Sequence, residues 1–236
     1  MLQTAWPTTA LDLSPRGDTI YRLNDIDYPN VVTDTMSVIA AQSGTVVRRF
    51  ILGLDALRTG ARISPDGRWL AAVFIRGNAT FLCLIATDGK VVRRLVERVP
   101  RFTSLAWNRS STGIYYLRDL GNGANLGAGL DLMKVAIDRR TGEPRGEPHV
   151  VVGGASIRDF ATLPDRNLLV YTKAPPNQKL WAMNLAPGGA VASARVFELG
   201  TSVIGTPDLS PDGKWVAYAQ NDRGLGRLFV TPFDSS

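Results

Sequence analysis

Apolar positions occur along this chain in short runs separated by turn residues, and they do not follow the 3.6-residue period of a helix. The runs at 69–75 and 215–219, for example, are rich in Trp, Val, Ala and Tyr and follow directly on Pro, Asp and Gly. The only candidate for helix is a single turn at 54–59. The pattern therefore predicts an all-β protein.

A hairpin signature recurs five times at nearly regular spacing. Ser-Pro-Asp-Gly begins at Ser64 and at Ser210, and Ser-Pro-Arg-Gly begins at Ser14. Two degenerate copies lie at Arg109 and Pro164, so the anchor positions 15, 65, 109, 164 and 211 are 50, 44, 55 and 47 residues apart. In this motif Pro presets φ for a type I turn, Ser and Asp hydrogen-bond the local backbone, and Gly takes the left-handed conformation that follows. Each copy is predicted to join two strands tightly.

The same succession of segments follows each turn. After the second strand come a polar loop, a third strand, another turn and a fourth strand, and the predicted third strands are 36–40, 81–86, 132–137, 180–185 and 228–231. Four strands in a repeat of about 49 residues are typical of a β-propeller blade. We predict one β-propeller domain over 1–236, with four-stranded antiparallel blades at approximately 8–53, 58–98, 102–153, 156–200 and 204–236.

The number of blades is open at this stage. A chain of 236 residues holds about 4.8 repeats of this period, and the last predicted blade lacks its outer strand. In one interpretation residues 1–5 supply that strand and close a ring of five blades. In the other the chain is part of a propeller with six or more blades.

With Ser-Pro-Asp-Gly-Arg-Trp-Leu-Ala at 64–71 and its copies, the sequence resembles the propeller repeats of the TolB family. Related blades occur in prolyl oligopeptidase-like peptidases and in the sensor domains of bacterial Ser/Thr kinases and winged-helix regulators, and the segments 132–144 and 227–233 are most similar to the kinase-linked and regulator-linked versions. The resemblance implies a bacterial protein in the periplasm or another extracytoplasmic location. Because residues 1–10 lack a basic region and an apolar run, export would require a signal peptide in a longer precursor. The partner contacts of TolB do not lie in the repeat motif, so no residue role is transferred.

Residue counts and motifs argue against catalysis. The single cysteine, Cys83, and the single histidine, His149, exclude an internal disulfide and a Cys/His zinc site. The chain has no Gly-x-Ser-x-Gly nucleophile elbow to accompany His149, and we expect Cys83 to be a buried apolar residue. We therefore expect no enzyme activity and no catalytic residue.

Two further patterns do not specify a metal or cofactor site. Asp25, Asp27 and Asp34 do not have the spacing of an EF-hand loop, and the glycine-rich segment 121–129 lacks the Gly-Lys-Ser/Thr ending of a phosphate-binding loop. Both are interpreted as polar loops between strands. We expect neither a bound metal nor a cofactor. No stretch of about 18 apolar residues is present, so we expect no direct membrane insertion.

The net charge of +6 is distributed along the chain. Basic residues occur in pairs, at Arg48-Arg49, Arg93-Arg94 and Arg139-Arg140, which we interpret as solvated strand edges. Propellers bind ligands mainly where the loops between second and third strands, and between blades, converge. The candidate partner-binding residues in those loops are Asp25, Asp27, Tyr28, Arg76, Arg118, Asp119, Asn122, Arg158, Asn221, Asp222 and Arg223. Their mixed charge favours a protein or peptide partner over nucleic acid.

The sequence thus predicts a non-catalytic, monomeric propeller module that binds a protein or peptide through its loop face. One alternative is the substrate-gating propeller of a prolyl oligopeptidase-like serine peptidase whose catalytic domain lies outside this chain. The other is the sensor domain of a bacterial Ser/Thr kinase or winged-helix regulator.

Overall fold

A computed structural model of the chain describes residues 10–24, 35–53, 57–76, 79–99, 104–118, 130–163, 167–173, 179–186, 191–197, 203–222 and 225–233. These residues form eighteen β-strands. Over the same ranges there is no helix long and apolar enough to cross a membrane. The predicted all-β class is confirmed. The only candidate for helix, a single turn at 54–59, does not form at 57–59, because β5 begins at Leu57.

The strands form four antiparallel sheets in which neighbours along the chain are hydrogen-bonded. The first sheet contains β1 (Ala10–Leu13), β2 (Thr19–Asn24), β3 (Thr35–Ala40) and β4 (Val46–Ile51), and the second contains β5 (Leu57–Ile63), β6 (Trp69–Arg76), β7 (Ala79–Ala86) and β8 (Val92–Glu97). The seven-stranded sheet contains β9 (Leu105–Trp107), β10 (Gly113–Arg118), β11 (Leu130–Ala136), β12 (His149–Leu163), β13 (Leu168–Lys173), β14 (Leu180–Leu185) and β15 (Val191–Phe197). The last sheet contains β16 (Val203–Leu209), β17 (Trp215–Asp222) and β18 (Leu225–Pro232). All five predicted third strands lie within β3, β7, β11, β14 and β18 or end one residue beyond.

The seven-stranded sheet is long because β12 serves two repeats. Its beginning pairs with β11, where His149 lies opposite Lys134, and its end pairs with β13, where Leu163 lies opposite Leu168. Between these parts the strand bends at Gly154, which has a φ of +65° and donates its N–H to Asp131 Oδ1 at 2.7 Å. The predicted boundary between the third and fourth blades, at 153–156, falls on this bend.

The predicted Ser-Pro-Asp-Gly turns are confirmed by their hydrogen bonds. At the turn between β5 and β6, Ser64 N donates to Trp69 O at 2.7 Å and Gly67 N donates to Ser64 O at 2.8 Å. Gly67 has a φ of +72°, which a residue with a Cβ rarely adopts. The Ser64 hydroxyl also accepts from Trp69 N and donates to Asp66. The turn chemistry therefore acts as the sequence indicates.

The chain divides into two compact units: the first ends at Ile114 and also includes Ala136–Gly146, and the second comprises Tyr115–Val135 and continues from Glu147. In the first unit, one face of the first sheet packs on the second sheet, with Leu23 and Met36 among Leu70, Phe74 and Cys83. In the second unit, β12–β14 pack on the last sheet through a core of Leu163, Val170, Leu180, Val216 and Tyr218. Burial of each such side chain contributes about 1.5–3 kcal/mol, so stacked sheet faces hold each unit together.

Candidate binding face

The structure places five of the candidate binding residues in strands, and four of them lie at the ends from which the loops between second and third strands leave. Arg76 is the last residue of β6, Arg118 is the last of β10, and Asn221 and Asp222 end β17. Arg158 lies in β12, just after its bend. The strands are thus longer than the sequence pattern indicates. Asp25, Asp27, Tyr28, Asp119, Asn122 and Arg223 lie outside the described residues, as does the glycine-rich segment 121–129.

The best defined part of this loop face lies where β12, β13 and β14 meet. Lys173 ends β13 and places its ammonium 4.1 Å from the centre of the Trp181 ring. Tyr171, directly opposite Trp181 in the sheet, stacks on that ring with the two centres 6.1 Å apart. Phe160 lies opposite Tyr171 on the third strand and is buried. Three aromatic rings and one cation therefore form a continuous row across the sheet.

Two further features adjoin this row. The strand pairing shifts between Ile157 and Asp159, so that Arg158 lies in an irregularity beside Lys173 and is exposed. The Nε1 atom of Trp181 is buried and has no hydrogen-bond partner in the part of the chain that the structure describes. An indole N–H can only donate, so a ligand oxygen could accept from it only after the Trp181 ring has turned outward. We call Tyr171, Lys173 and Trp181 the aromatic–cationic cluster.

Arg118 lies close to a buried phenol in the same sheet. Tyr116 is fully buried, and burial raises the pKa of its hydroxyl, an effect that the positive charge of Arg118 partly offsets. The preceding residue, Tyr115, contacts Lys134, whose Nζ lies 5.5 Å from the centre of the Tyr115 ring. Burial lowers the pKa of Lys134. The Arg118 side chain is half-buried at the end of β10.

Arg76 occupies the corresponding strand end in the second sheet. It is exposed and lies opposite Ala79, so only two residues separate β6 from β7. The rings of Phe74 and Phe81 stack below it with centres 6.1 Å apart, and Arg94 covers the Phe81 ring at 4.2 Å. Two aromatic rings and one further guanidinium therefore pack beside the strand end that carries Arg76.

Sequence analysis did not identify the aromatic–cationic cluster. The signal was present: Tyr171 and Lys173 alternate at the end of a second strand, and Trp181 is the second residue of the third strand that returns beside it. Recognising their contact requires the cross-strand register, which the intervening segment 174–178 does not specify.

The opposite ends of the strands carry contacts between sheets that also escaped the sequence analysis. Arg139 Nε donates to Asp66 Oδ2 at 2.6 Å, and the backbone oxygen of Arg139 accepts from Trp69 Nε1 at 2.8 Å. Burial alone would raise the pKa of Asp66, but hydrogen bonds from Ser64 and Arg139 lower it below its usual value. The segment 138–142 therefore attaches to the Ser-Pro-Asp-Gly turn of the second sheet.

A second set of contacts holds the same segment. Arg93 Nε donates to the backbone oxygen of Thr141 at 3.0 Å, and its Nη2 lies 3.5 Å from Glu143 Oε1. Asp138 accepts from the backbone N–H groups of Thr141 and Arg140 and pairs with Arg145, and these contacts hold its pKa well below the usual range. The interpretation of the arginine pairs as solvated strand edges is therefore wrong for Arg93 and Arg139, because both link neighbouring segments.

The remaining reactive side chains have structural environments. Cys83 is fully buried with a free thiol, as predicted, and burial raises its pKa to about 12. His149 is exposed at the start of β12. Within the described residues no group of three or more His, Cys, Asp or Glu side chains is arranged to hold a metal ion.

No protein-family model and no curated protein matches the chain. Among solved structures, the chain is similar to TolB from Acinetobacter baumannii, with a TM-score of 0.65 and 14% identity over 94% of this chain and 51% of that one. A putative TolB from Agrobacterium tumefaciens gives a TM-score of 0.63 and 16% identity over 94% and 76%. Hydrazine synthase from Kuenenia stuttgartiensis gives 0.64 and 16% over 100% and 65%.

The chain thus spans about half the length of the first of these TolB proteins and about two thirds of the hydrazine synthase chain. At these identities the likeness concerns the fold and does not transfer an activity. Together with the four antiparallel sheets and the regular Ser-Pro-Asp-Gly turns, it shows that the chain has a TolB-like β-propeller fold.

Proposed function

We propose that this protein is a binding module that recognises a protein or peptide segment through the loop face of its propeller and catalyses no reaction itself. The observation that supports the proposal best is the aromatic–cationic cluster at the ends of β12–β14. Lys173 lies over Trp181, and Arg158 is exposed in the neighbouring strand β12. Trp, Tyr and Arg are the residues that contribute most binding energy at protein interfaces.

The chemistry of the cluster suits a peptide. A buried donor without a partner costs about 1–3 kcal/mol, so a ligand that turned the Trp181 ring outward and accepted from its Nε1 would regain that energy. Peptide carbonyl and carboxylate groups are such acceptors, and Arg158 and Lys173 favour the carboxylates. Cation–π contacts of Lys173 with Trp181 contribute about 0.5–1 kcal/mol and keep the ammonium in place before the ligand arrives.

The proposal places the protein outside the cytoplasm. It rests on the resemblance of the repeats to the TolB family and on the likeness of the fold to TolB structures. The absence of catalysis is supported by the environment of the reactive groups: Cys83 is buried with a raised thiol pKa, and His149 begins a strand without a nucleophile motif.

The test uses an array of immobilised random peptides and the purified 236-residue chain. The peptides that bind are then synthesised, and their dissociation constants are measured by fluorescence polarisation. We expect Lys173→Met and Trp181→Phe each to weaken binding about tenfold or more, since both positions lie in the cluster. Lys214→Met, an exposed change in the turn at the opposite end of a strand, should leave the affinity unchanged within about twofold.

Thermal unfolding followed by circular dichroism confirms that each variant is folded. Equal affinities for all three variants would overturn the assignment of the cluster, and an array without specific binders would overturn the peptide ligand. Hydrolysis of any bound peptide, measured by mass spectrometry, would overturn the absence of catalysis.

A further inference from the structure

Four turns of the first unit lie against one another and are rich in arginine. They are 64–68 between β5 and β6, 87–91 between β7 and β8, 108–112 between β9 and β10, and 138–145, which follows β11. They are joined by hydrogen bonds from Thr87 N to Arg68 O at 3.0 Å, from Asp66 N to Ser111 Oγ at 3.1 Å, and from Arg139 Nε to Asp66 Oδ2 at 2.6 Å. We call these four turns, together with Arg93 of β8, the basic turn face.

The basic turn face carries half of the net charge of the chain. It contains seven Lys and Arg residues and four Asp and Glu residues, so its net charge is +3 out of +6 for all 236 residues. The corresponding turns of the first sheet, 14–18 and 41–45, contain one cation and one carboxylate, so their net charge is zero. Excess positive charge is therefore a property of this face and is not shared by every set of turns in the repeat.

The cations of this face are more exposed than the carboxylates with which they pair. Asp66 is paired with Arg139, and the exposed fractions of the two side chains are 8% and 54%. Asp138 is paired with Arg145, and the exposed fractions are 26% and 68%. The paired carboxylates thus hold the arginines in place from below, and a ligand that approaches the face meets mainly guanidinium groups.

Several of these guanidinium groups keep unused donors. Each has five N–H bonds, and Arg139 uses only Nε, for Asp66. Arg68 makes no side-chain hydrogen bond within the described residues, since its Nε lies 3.9 Å from Asp66 Oδ2. Arg140 is exposed, and within the same ranges its side chain has neither a hydrogen bond nor an ion pair. Guanidinium groups bind phosphate through two parallel hydrogen bonds, so the face is suited to a phosphate-bearing ligand.

The basic turn face lacks the apolar anchors of other binding surfaces. None of the residues in its four turns is a large hydrophobic residue with an exposed side chain. Protein partners are usually held by buried aromatic and aliphatic anchors, and single-stranded nucleic acids stack on exposed aromatic rings. Binding by charge without an anchor is typical of basic surfaces on the headgroups of anionic lipids.

The exposed carboxylates of the face favour a lipid surface over a nucleic-acid duplex. Asp88 and Glu143 are 50% and 61% exposed, and each lies 3.5 Å from its cation, Lys90 or Arg93. The phosphates of a duplex have fixed positions, so two carboxylates among the arginines would oppose them. Lipids in a fluid bilayer can rearrange, so anionic headgroups gather at the arginines and neutral ones at the carboxylates.

We propose that the basic turn face binds the surface of a membrane that contains anionic phospholipids. The guanidinium groups contact lipid phosphates, and no part of the face inserts into the bilayer. Each excess cation near such a surface strengthens binding about fivefold, so a net charge of +3 should favour an anionic membrane over a neutral one about 100-fold. The proposal goes beyond the peptide-binding role and does not rest on it, because the aromatic–cationic cluster contributes no residue to this face.

The test measures co-sedimentation of the purified 236-residue chain with vesicles of phosphatidylcholine that contain about one third phosphatidylglycerol, and with vesicles of phosphatidylcholine alone. The buffer contains about 0.1 M salt, so that only charges within about 10 Å of the membrane act. We expect Arg140→Gln to lower the partition coefficient about fivefold, and Arg68→Gln combined with Arg140→Gln to lower it about 25-fold. The matched control is Arg98→Gln, which removes the same charge from an exposed position at the other end of β8 and should change it less than about twofold.

Three outcomes would overturn the proposal. The first is equal partition of the wild-type chain into both kinds of vesicle. The second is an equal loss in Arg140→Gln and Arg98→Gln, because the total charge of the chain and not this face would then be responsible. The third is tighter binding of a labelled DNA duplex of about 20 base pairs through the same arginines, which would assign the face to nucleic acid.

Two controls separate this result from folding and from the proposed function. The substituted side chains are exposed, and circular dichroism verifies that each variant is folded. The double variant should bind the peptides selected on the array with unchanged affinity, since the aromatic–cationic cluster is intact. A chain that binds anionic vesicles but no peptide would contradict the proposed function alone, and a chain that binds peptides but no vesicles would contradict the membrane contact alone.

Discussion

The second sheet and the last sheet begin with the same Ser-Pro-Asp-Gly hairpin and differ in what surrounds it. Both turns have the same local bonds: Ser64 donates to Asp66 at 2.6 Å, and Ser210 donates to Asp212 at 2.6 Å. The tryptophan that follows is buried in the second sheet and half-exposed in the last. The local motif therefore determines the turn, whereas the burial of the tryptophan that follows depends on other parts of the chain.

The difference arises from the segment 138–142, which attaches only to the second sheet among the described turns of this kind. Its backbone accepts the N–H of Trp69, and Arg139 pairs with Asp66. Gly142 packs against Trp69 and Leu84 so closely that a Cβ at this position would lie 2.7 Å from the indole. The same Ser-Pro-Asp-Gly motif thus contributes differently to the free energy of unfolding in the two hairpins. The reason is that a core side chain stabilises the fold mainly by packing against its neighbours.

The largest expected effect separates the two tryptophans. Trp69→Ala removes a buried indole and its hydrogen bond to Arg139 O, and should lower the free energy of unfolding by about 3–5 kcal/mol. Trp215→Ala removes a half-exposed indole and should cost less than about 1 kcal/mol. Urea denaturation followed by far-UV circular dichroism, at low protein concentration, measures both. Equal losses would show that the two hairpins have the same surroundings in solution.

The next effect tests the close approach of Gly142. Gly142→Ala should cost about 1–3 kcal/mol, because φ is +72° and the new methyl group would force Trp69 or Leu84 to move. Gly146→Ala is the matched control, since its φ is +81° and nothing lies within 4 Å of the added Cβ. In the control the free energy of unfolding should fall by only about 1 kcal/mol, the cost of holding an alanine at a positive φ. If both variants lose the same free energy, the packing against Trp69 contributes nothing.

The comparison also shows what the sequence could predict. Pro, Asp and Gly fix a turn through their own backbone and side-chain chemistry, so the repeat, the all-β class and the third strands follow from the sequence. The attachment of Arg139 to Asp66 connects residues 73 positions apart and has no local signal. The candidate site shows the same limit. The strand ends could be located from local sequence, whereas the contact of Lys173 with Trp181 depends on the cross-strand register, which has no local signal.

A smaller effect concerns the two aspartates of these hairpins and depends on pH. Asp66→Asn should cost about 1 kcal/mol at pH 7, because it removes the charge that pairs with Arg139, while Asp212→Asn should cost less than about 0.5 kcal/mol. The folded-state pKa of Asp66 is lowered, so its contribution is present above the unfolded pKa of about 4 and is lost as the pH falls through the folded value. The difference between the two variants should therefore shrink below about pH 4. A difference that grows on acidification would contradict the lowered pKa. Asp138, whose pKa is also lowered, is present in both variants and cancels from the comparison.

The smallest effect separates the side chain of Arg139 from its backbone. Arg139→Ala removes the ion pair with Asp66 and keeps the carbonyl oxygen that accepts from Trp69, so the loss should be only about 0.5 kcal/mol, because Arg139 is 54% exposed and solvent screens the pair. Arg140→Ala, one residue further along the same exposed turn, is the control and should have no measurable effect. In a double-mutant cycle, Asp66→Asn and Arg139→Ala should couple by about 0.5 kcal/mol, and the coupling should decrease in 1 M salt. A loss of several kcal/mol in Arg139→Ala alone would mean that the side chain, and not the backbone of 138–142, holds this segment on Trp69. The difference between the two hairpins would then be electrostatic rather than a matter of packing.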